Sequence, residues 1–363
     1  MITDTMTISI SKPCETFLKT KSEIIFLIGS ILTSLGILLV TVGGSWDITN
    51  HLLSKPETFF SPPHALMYFG VAVSLSGAVL SFIGWKNLQK SRDSYFLSLK
   101  IKLIGIGLLT GAGPLDFFWH SYFGLDGLLS PPHFTLITGM FLCSVGGMIG
   151  ISRYLKFNNS QSIAKYLLIL AVIPVWLSAS GIISSLSLPF SSTDFFEFNP
   201  EPTFAAVFAT IVYPIVMAFI LVSSSKVNPG RFGYLSTTGA FYILIMILSA
   251  LLPNPVLVDA VPFYLLNLVP FVLADVIINK SKIKKSHYIA GAMIGSSFIF
   301  SYFPLITYTY NEVMFHRLVW PSMIPLIYSE FIVVIFPMLI ACGAVSSLIG
   351  TLIAVKVSRR IIL

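Results

Sequence analysis

Charge is scarce in this chain. Of its 363 residues, only 10% are Asp, Glu, Lys or Arg, against about a quarter in an ordinary soluble domain. Hydrophobic residues make up 55% and the mean hydropathy is +0.87, which excludes a soluble globular protein. Cysteine is scarce as well. Cys14, Cys143 and Cys342 are the three present, and their scattered spacing excludes a disulfide framework or a thiolate metal cluster. Histidine numbers only six. What the chain does have is long apolar runs, several of which reach the roughly 20 residues that cross a bilayer. The sequence therefore predicts an all-α, polytopic integral membrane helical bundle.

Hydropathy places about ten spanning helices, near 24–44, 63–84, 101–115, 134–152, 166–186, 203–223, 233–252, 257–278, 288–308 and 330–355. Pro321 and Pro325, after Trp320, mark a segment that could re-enter the bilayer. The polar start with Lys12, Lys19 and Lys21 imitates a secretory signal. Because the first helix aligns with the third, it is expected to be retained.

The basic residues orient this topology. Lys12 to Lys21, Lys86 to Lys102, Arg153 to Lys165, Lys226 and Arg231, Lys280 to Lys285, and Lys356 to Arg360 all fall at odd-numbered junctions. They account for 20 of the 22 basic residues, with only Lys55 and Arg317 on the other side. The positive-inside bias then puts both termini in the cytoplasm of a cell whose plasma membrane the chain crosses repeatedly. The net charge of +7 is a topology signal, so nucleic acid is excluded as a partner and the lipid bilayer is the expected one. Asp47, Glu57, Asp116, Asp126, Asp194 and Glu197 are among the acids on the opposite face, a distribution that attracts cations.

A motif occurs twice within the first half. Asp47, His51 and Ser61-Pro62-Pro63-His64 return as Asp116, His120 and Ser130-Pro131-Pro132-His133, each shifted by 69. Thr41 and Thr110, Gly44 and Gly113, Gly70 and Gly139, and Gly77 and Gly146 keep the same offset, and Glu57 matches Asp126. Helices one and two thus read as a hairpin duplicated in parallel by helices three and four. The expected organisation is a short cytoplasmic segment over 1–23, a duplicated motif-bearing four-helix unit over 24–152, and a bundle of about six helices over 153–363.

Four of the six histidines lie in these copies, and ionisable groups beside apolar helices mark a ligand site. An Asp and a His four apart share one helical face. Serine is a good N-cap and proline suits the first helical turn, so His64 and His133 are expected in the first turn of helices two and four. There the helix dipole favours neutral imidazole with a nitrogen available to a metal. Trp46 and Trp119 suit a membrane–water interface. Two imidazoles and a carboxylate per copy suit copper, zinc or ferrous iron and disfavour calcium and magnesium. Haem fits less well, because Pro62 and Pro63 interrupt the helix that would align a bis-His pair. The metal candidates are therefore Asp47, His51, His64, Asp116, His120 and His133. His316 is a further candidate ligand, whereas His287, beside the Lys280 to Lys285 cluster, reads as a solvated loop residue.

The pattern Asp-x3-His-x12-His, with Pro before the second His, resembles the C subunit of copper membrane monooxygenases, the particulate methane and ammonia monooxygenases. Phe60-Ser61-Pro62-Pro63-His64 is similar to that family's Phe-Thr-Pro-Ser-His type of sequence. The resemblance covers about 35 residues per copy. It implies copper bound by Asp47, His51 and His64, and again by Asp116, His120 and His133, near the outer side of the membrane. It further implies an oxidase- or monooxygenase-like enzyme, or subunit of one, acting on a small-molecule substrate beside other membrane subunits. Two other functions remain open: a membrane transporter or metal-acquisition protein, and a non-catalytic metal-binding subunit of a membrane complex.

Overall fold

A computed structural model describes residues 12–52, 58–88, 92–124, 129–158, 161–187, 202–228, 230–301 and 336–361. Every regular element among them is helical: α1 (Lys12–Leu52), α2 (Pro62–Lys86), α3 (Arg92–Phe123), α4 (Pro131–Asn158), α5 (Gln161–Ser187) and α6 (Pro202–Val227). Then follow α7 (Tyr234–Leu251), a 3-10 turn (Pro255–Ala260), α8 (Val261–Leu266), α9 (Leu268–Asn279), α10 (Ser286–Ser301) and α11 (Phe336–Ile361). Nine stretches among the described residues are long and apolar enough to cross a membrane, α8 and α9 acting together as one. The ninth expected helix is represented by α10, which has 16 described residues. The segment with Pro321 and Pro325, and His316, lie outside the described residues.

Two helices run further than hydropathy suggested. α1 has 41 residues and carries Asp47 and His51 on its last turns. No proline lies between Pro13 and Pro56, so the helix runs on past its apolar stretch and through Gly43 and Gly44. α3 starts at Arg92 rather than near 101, so Lys100 and Lys102 lie on helix instead of in a junction. Lys102 is fully buried, which removes it from the set of residues marking the cytoplasmic side.

Small residues decide how the first four helices pair. A Cβ on Gly36 would lie 2.5 Å from the Gly70 carbonyl oxygen, and one on Gly77 would lie 2.5 Å from that of Gly29. α1 and α2 therefore meet backbone to backbone as an antiparallel hairpin. α3 and α4 do the same: a Cβ on Gly105 or on Gly139 would lie 2.9 Å from the other's carbonyl oxygen. Close approach of this kind is how helices gain packing energy where lipid removes the hydrophobic drive. Gly36 and Gly105, like Gly70 and Gly139, are 69 residues apart.

Later helices form a larger apolar core. Trp176 of α5 is buried, stacks on Phe271 at 4.9 Å between ring centroids, and donates its indole N–H to Ser224 Oγ at 3.0 Å. α5 bridges this core to the first four helices by packing on both α4 and α1. Around the bundle, Phe69, Val79, Leu244 and Leu352 are exposed, as expected of a surface solvated by lipid.

Candidate metal centre

The C-terminal ends of α1 and α3 and the N-terminal turns of α2 and α4 converge at one end of the first four helices. Proline fixes those turns. Pro62 and Pro63 occupy the first positions of α2, and Pro131 and Pro132 those of α4. His64 and His133 thus fall in the first helical turn, as the sequence indicates. The serines behave differently. Ser61 makes no side-chain cap bond, because the prolines remove the N–H of the first two residues and leave its hydroxyl only the third. Ser61 and Ser130 are both buried, and neither Oγ has a hydrogen-bond partner among the described residues.

In the second copy three side chains gather. Asp116 Oδ1 lies 3.4 Å from His120 Nε2 and 3.3 Å from His133 Nε2. Donor atoms of the three residues all lie within 4.8 Å of one another. The imidazole rings of His120 and His133 are 5.4 Å apart. His120 Nδ1 donates to the Gly124 carbonyl at 2.8 Å, so the neutral ring directs its Nε2 lone pair at the cluster. An outer-shell carbonyl of this kind fixes the tautomer of metal-ligating histidines. Gly124 ends α3 with φ +71° and returns its own N–H to the His120 carbonyl at 3.0 Å. That left-handed conformation suits glycine.

The first copy differs. His64 Nε2 lies 2.7 Å from Asp47 Oδ1, while Nδ1 lies 2.9 Å from the Thr58 carbonyl oxygen. A carbonyl only accepts, so Nδ1 carries a proton, and Nε2 stands in close ion-pair contact with the Asp47 carboxylate. The nitrogen expected to be available is engaged by its own carboxylate. The His51 backbone belongs to α1, and its side chain lies outside the described residues, as do Glu57 and Asp126.

Distance separates the two copies chemically. Ligand atoms about 2.0–2.1 Å from a tetrahedral ion are separated by roughly 3.3 Å. The 3.3 and 3.4 Å separations in the second copy match that edge and exceed the usual hydrogen-bond range. The 2.7 Å contact of the first copy is shorter than that edge, too short for two ligands of one tetrahedral ion. Asp47 is also the more deeply buried carboxylate, with 7% of its side chain exposed against 23% for Asp116.

Both copies face a single cavity of about 540 Å³. Thr41 and Thr110, Gly44 and Gly113, Asp47 and Asp116, and His64 and His133 all line it. Each pair is 69 residues apart, so the cavity lies between the two hairpins. Tyr68 breaks the pattern, for its counterpart is Ile137. Its ring packs 5.0 Å from Phe59 and reaches to 3.7 Å of where a Cβ on Gly113 would stand. Sequence reasoning missed Tyr68 and the carbonyls of Thr58 and Gly124. A polar residue four after His64, and a glycine four after His120, were the signals for two of them.

His287 is half-buried in the first turn of α10 rather than in a solvated loop. Asp275, which the sequence put near a helix end, is fully buried and accepts from the Gly233 and Ser236 backbone N–H groups at 3.0 and 2.9 Å and from Ser236 Oγ at 2.8 Å. It caps α7 from a neighbouring helix and takes no part in the centre.

Fold and cluster define a multi-pass helical membrane protein with a carboxylate–imidazole group able to hold a metal ion. No family model, curated protein or solved structure matches the chain.

Proposed function

We propose that the chain is an integral membrane metal-binding protein whose ion is copper, acting as an oxidase- or monooxygenase-like enzyme or as a subunit of one. The observation that carries this reading is the spacing of Asp116, His120 and His133, which fits one ion, with Asp116 and His133 also lining the cavity. The motif's resemblance to the copper membrane monooxygenases favours copper over zinc or iron. A copper ion held there would supply redox chemistry with dioxygen.

The protein's own groups do the remainder. His120 is oriented by the Gly124 carbonyl and His133 by its place in the first turn of α4. Asp116 holds both imidazoles in register, and the apolar walls keep bulk water away. Asp47 and His64 face the same space in close contact with each other, and serve as ligands only if they move apart. We read the two hairpins as a duplicated unit, with the centre on the outer side of the plasma membrane and both termini in the cytoplasm. That orientation rests on the placement of the basic residues.

Metal quantification on protein purified in detergent, with copper paramagnetic resonance, tests the reading. One copper per chain is expected, lost in His133→Ala and His120→Ala and largely kept in His64→Ala. Absence of any stoichiometric transition metal after chelator-free, anaerobic handling sinks it. Bound metal without oxygen-dependent turnover leaves a non-catalytic subunit.

One observation favours a second reading, transport. Lys102 is a fully buried ionisable residue in a membrane-spanning helix, and such residues often mark ion pathways. Metal uptake into liposomes that is abolished by Lys102→Ala would establish it.

A further inference from the structure

We propose that the cavity between the two hairpins binds a medium-chain amphiphile with an uncharged hydroxyl or phenol head, lying with that head at the Asp–His end. Its role as substrate rests on the metal-centre reading above; its binding does not.

The volume of about 540 Å³ falls within the range of sites for molecules of drug size, roughly 300–1,000 Å³. It is far more than dioxygen or a one-carbon substrate needs. The ionisable groups are confined to one end. Asp47, His64, Asp116 and His133 lie there, whereas Leu75, Leu109, Met140 and Leu177 line the apolar remainder. From His64 to Leu75 along α2 is eleven residues, or roughly 16 Å at the helical rise, the reach of a medium-length alkyl chain.

The head follows from charge. The lining contains two carboxylates and no lysine or arginine. A carboxylate or phosphate head would meet like charge from Asp47 and Asp116 with no ammonium or guanidinium group beside it, in a space where desolvation is already unfavourable. An alcohol or phenol instead donates its O–H to an Asp oxygen and offers its own oxygen to the centre. Thr41 and Thr110 continue hydroxyl character a short way down opposite walls.

Space near the far wall is set by Gly181 of α5. A Cβ there would meet only Ile137 Cγ2, at 3.6 Å. A side chain at 181 therefore starts against a side chain rather than against backbone, beside the cavity that Gly181 lines, and it stands on α5, which carries none of the motif residues.

The test is photolabelling of the full-length protein in lipid nanodiscs with a diazirine analogue of octanol, with labelled residues located by mass spectrometry. Labelling is expected on the cavity-facing stretches around Leu136 to Met140 and Leu177 to Gly181. It should be competed about tenfold better by octanol or decanol than by the fatty acids of equal length. Gly181→Phe should abolish it while metal content stays as in wild type. Labelling scattered over lipid-facing residues such as Leu103 and Leu244 overturns the proposal, and so does equal competition by fatty acid or phospholipid. The competition series uses wild-type protein, so it decides the matter even if Gly181→Phe fails to fold. Cavity labelling in protein that binds no metal would refute the metal reading and leave this one standing. Bound metal without cavity labelling refutes only this one.

Discussion

Lys102 shows how a single charge is accommodated inside an apolar bundle. Its Nζ donates to Ser30 Oγ at 2.9 Å on α1 and to Ser81 Oγ at 2.6 Å on α2, and lies 4.2 Å from the centre of the Phe26 ring. Three donors thus meet two hydroxyls and one aromatic face, tying α3 to the first hairpin without a carboxylate. If this tie is structural, exchanging it for an apolar side chain of similar length should be nearly neutral, whereas stripping its acceptors should not. Lys102→Met is therefore expected to keep or raise the thermal unfolding midpoint in detergent. Ser30→Ala with Ser81→Ala should lower it, each hydroxyl lost costing about 1–3 kcal/mol. A Lys102→Met protein that unfolds as readily as the double serine variant would show that the charge itself is required. At the centre, the same scale distinguishes His120 from His64: both rings are anchored by a carbonyl, yet only His120 stands at ligand distance from its carboxylate.

At the scale of elements, contact between helices depends on what a Cβ would strike. Gly36→Ala and Gly70→Ala each push a methyl into the backbone of the facing helix, and should reduce the yield of folded protein and its unfolding midpoint. Gly107 and Gly111, on α3, have nothing within 4 Å of a Cβ. Gly107→Ala should stabilise by roughly 0.5–1 kcal/mol through helix propensity. Identical unfolding midpoints for Gly36→Ala and Gly107→Ala would refute the backbone seam. α7 depends on another element for its start. Gly233, with φ +89°, precedes its first turn, and the buried Asp275 carboxylate supplies the acceptor that a local cap would provide. Asp275 also accepts from Asn279 Nδ2 at 2.8 Å. Asp275→Ala should cost roughly 2–4 kcal/mol by leaving several donors unsatisfied, whereas Asp275→Asn should lose less. Chemical denaturation followed by tryptophan fluorescence reads both.

For the whole molecule, the prediction concerns orientation. Phe60 is 76% exposed and Tyr122 79% exposed, both beside the motif ends, while Lys284 is exposed in the turn before α10. Cysteines at 60 and 122 should react with an impermeant maleimide in intact cells, and one at 284 only after lysis. The background should lack Cys14 and Cys342, the latter exposed, and can keep the buried Cys143. Labelling at 284 in intact cells would reverse the proposed topology.

Composition alone settled the membrane class, because 10% charge and runs of twenty apolar residues leave a chain few other places to fold. The offset of 69 was legible too, as were the helix starts at Pro62 and Pro131, since proline acts on its own backbone whatever surrounds it. Helix ends were less legible. Asp47, His51, Lys100 and Lys102 look like loop residues to a hydropathy window, yet each continues a helix, Lys102 with its ammonium donating to hydroxyls on α1 and α2. The inequality of the two copies could not be read from matching letters. It depends on tenths of an ångström between Asp47 and His64, and on carbonyls of Thr58 and Gly124 that every sequence contains. The sequence by itself determined which residues could form a centre. Only the packing of α1 to α5 placed both copies around one cavity and separated a close ion-pair contact from a group spaced to hold an ion, because those are distances across the bundle rather than along the chain.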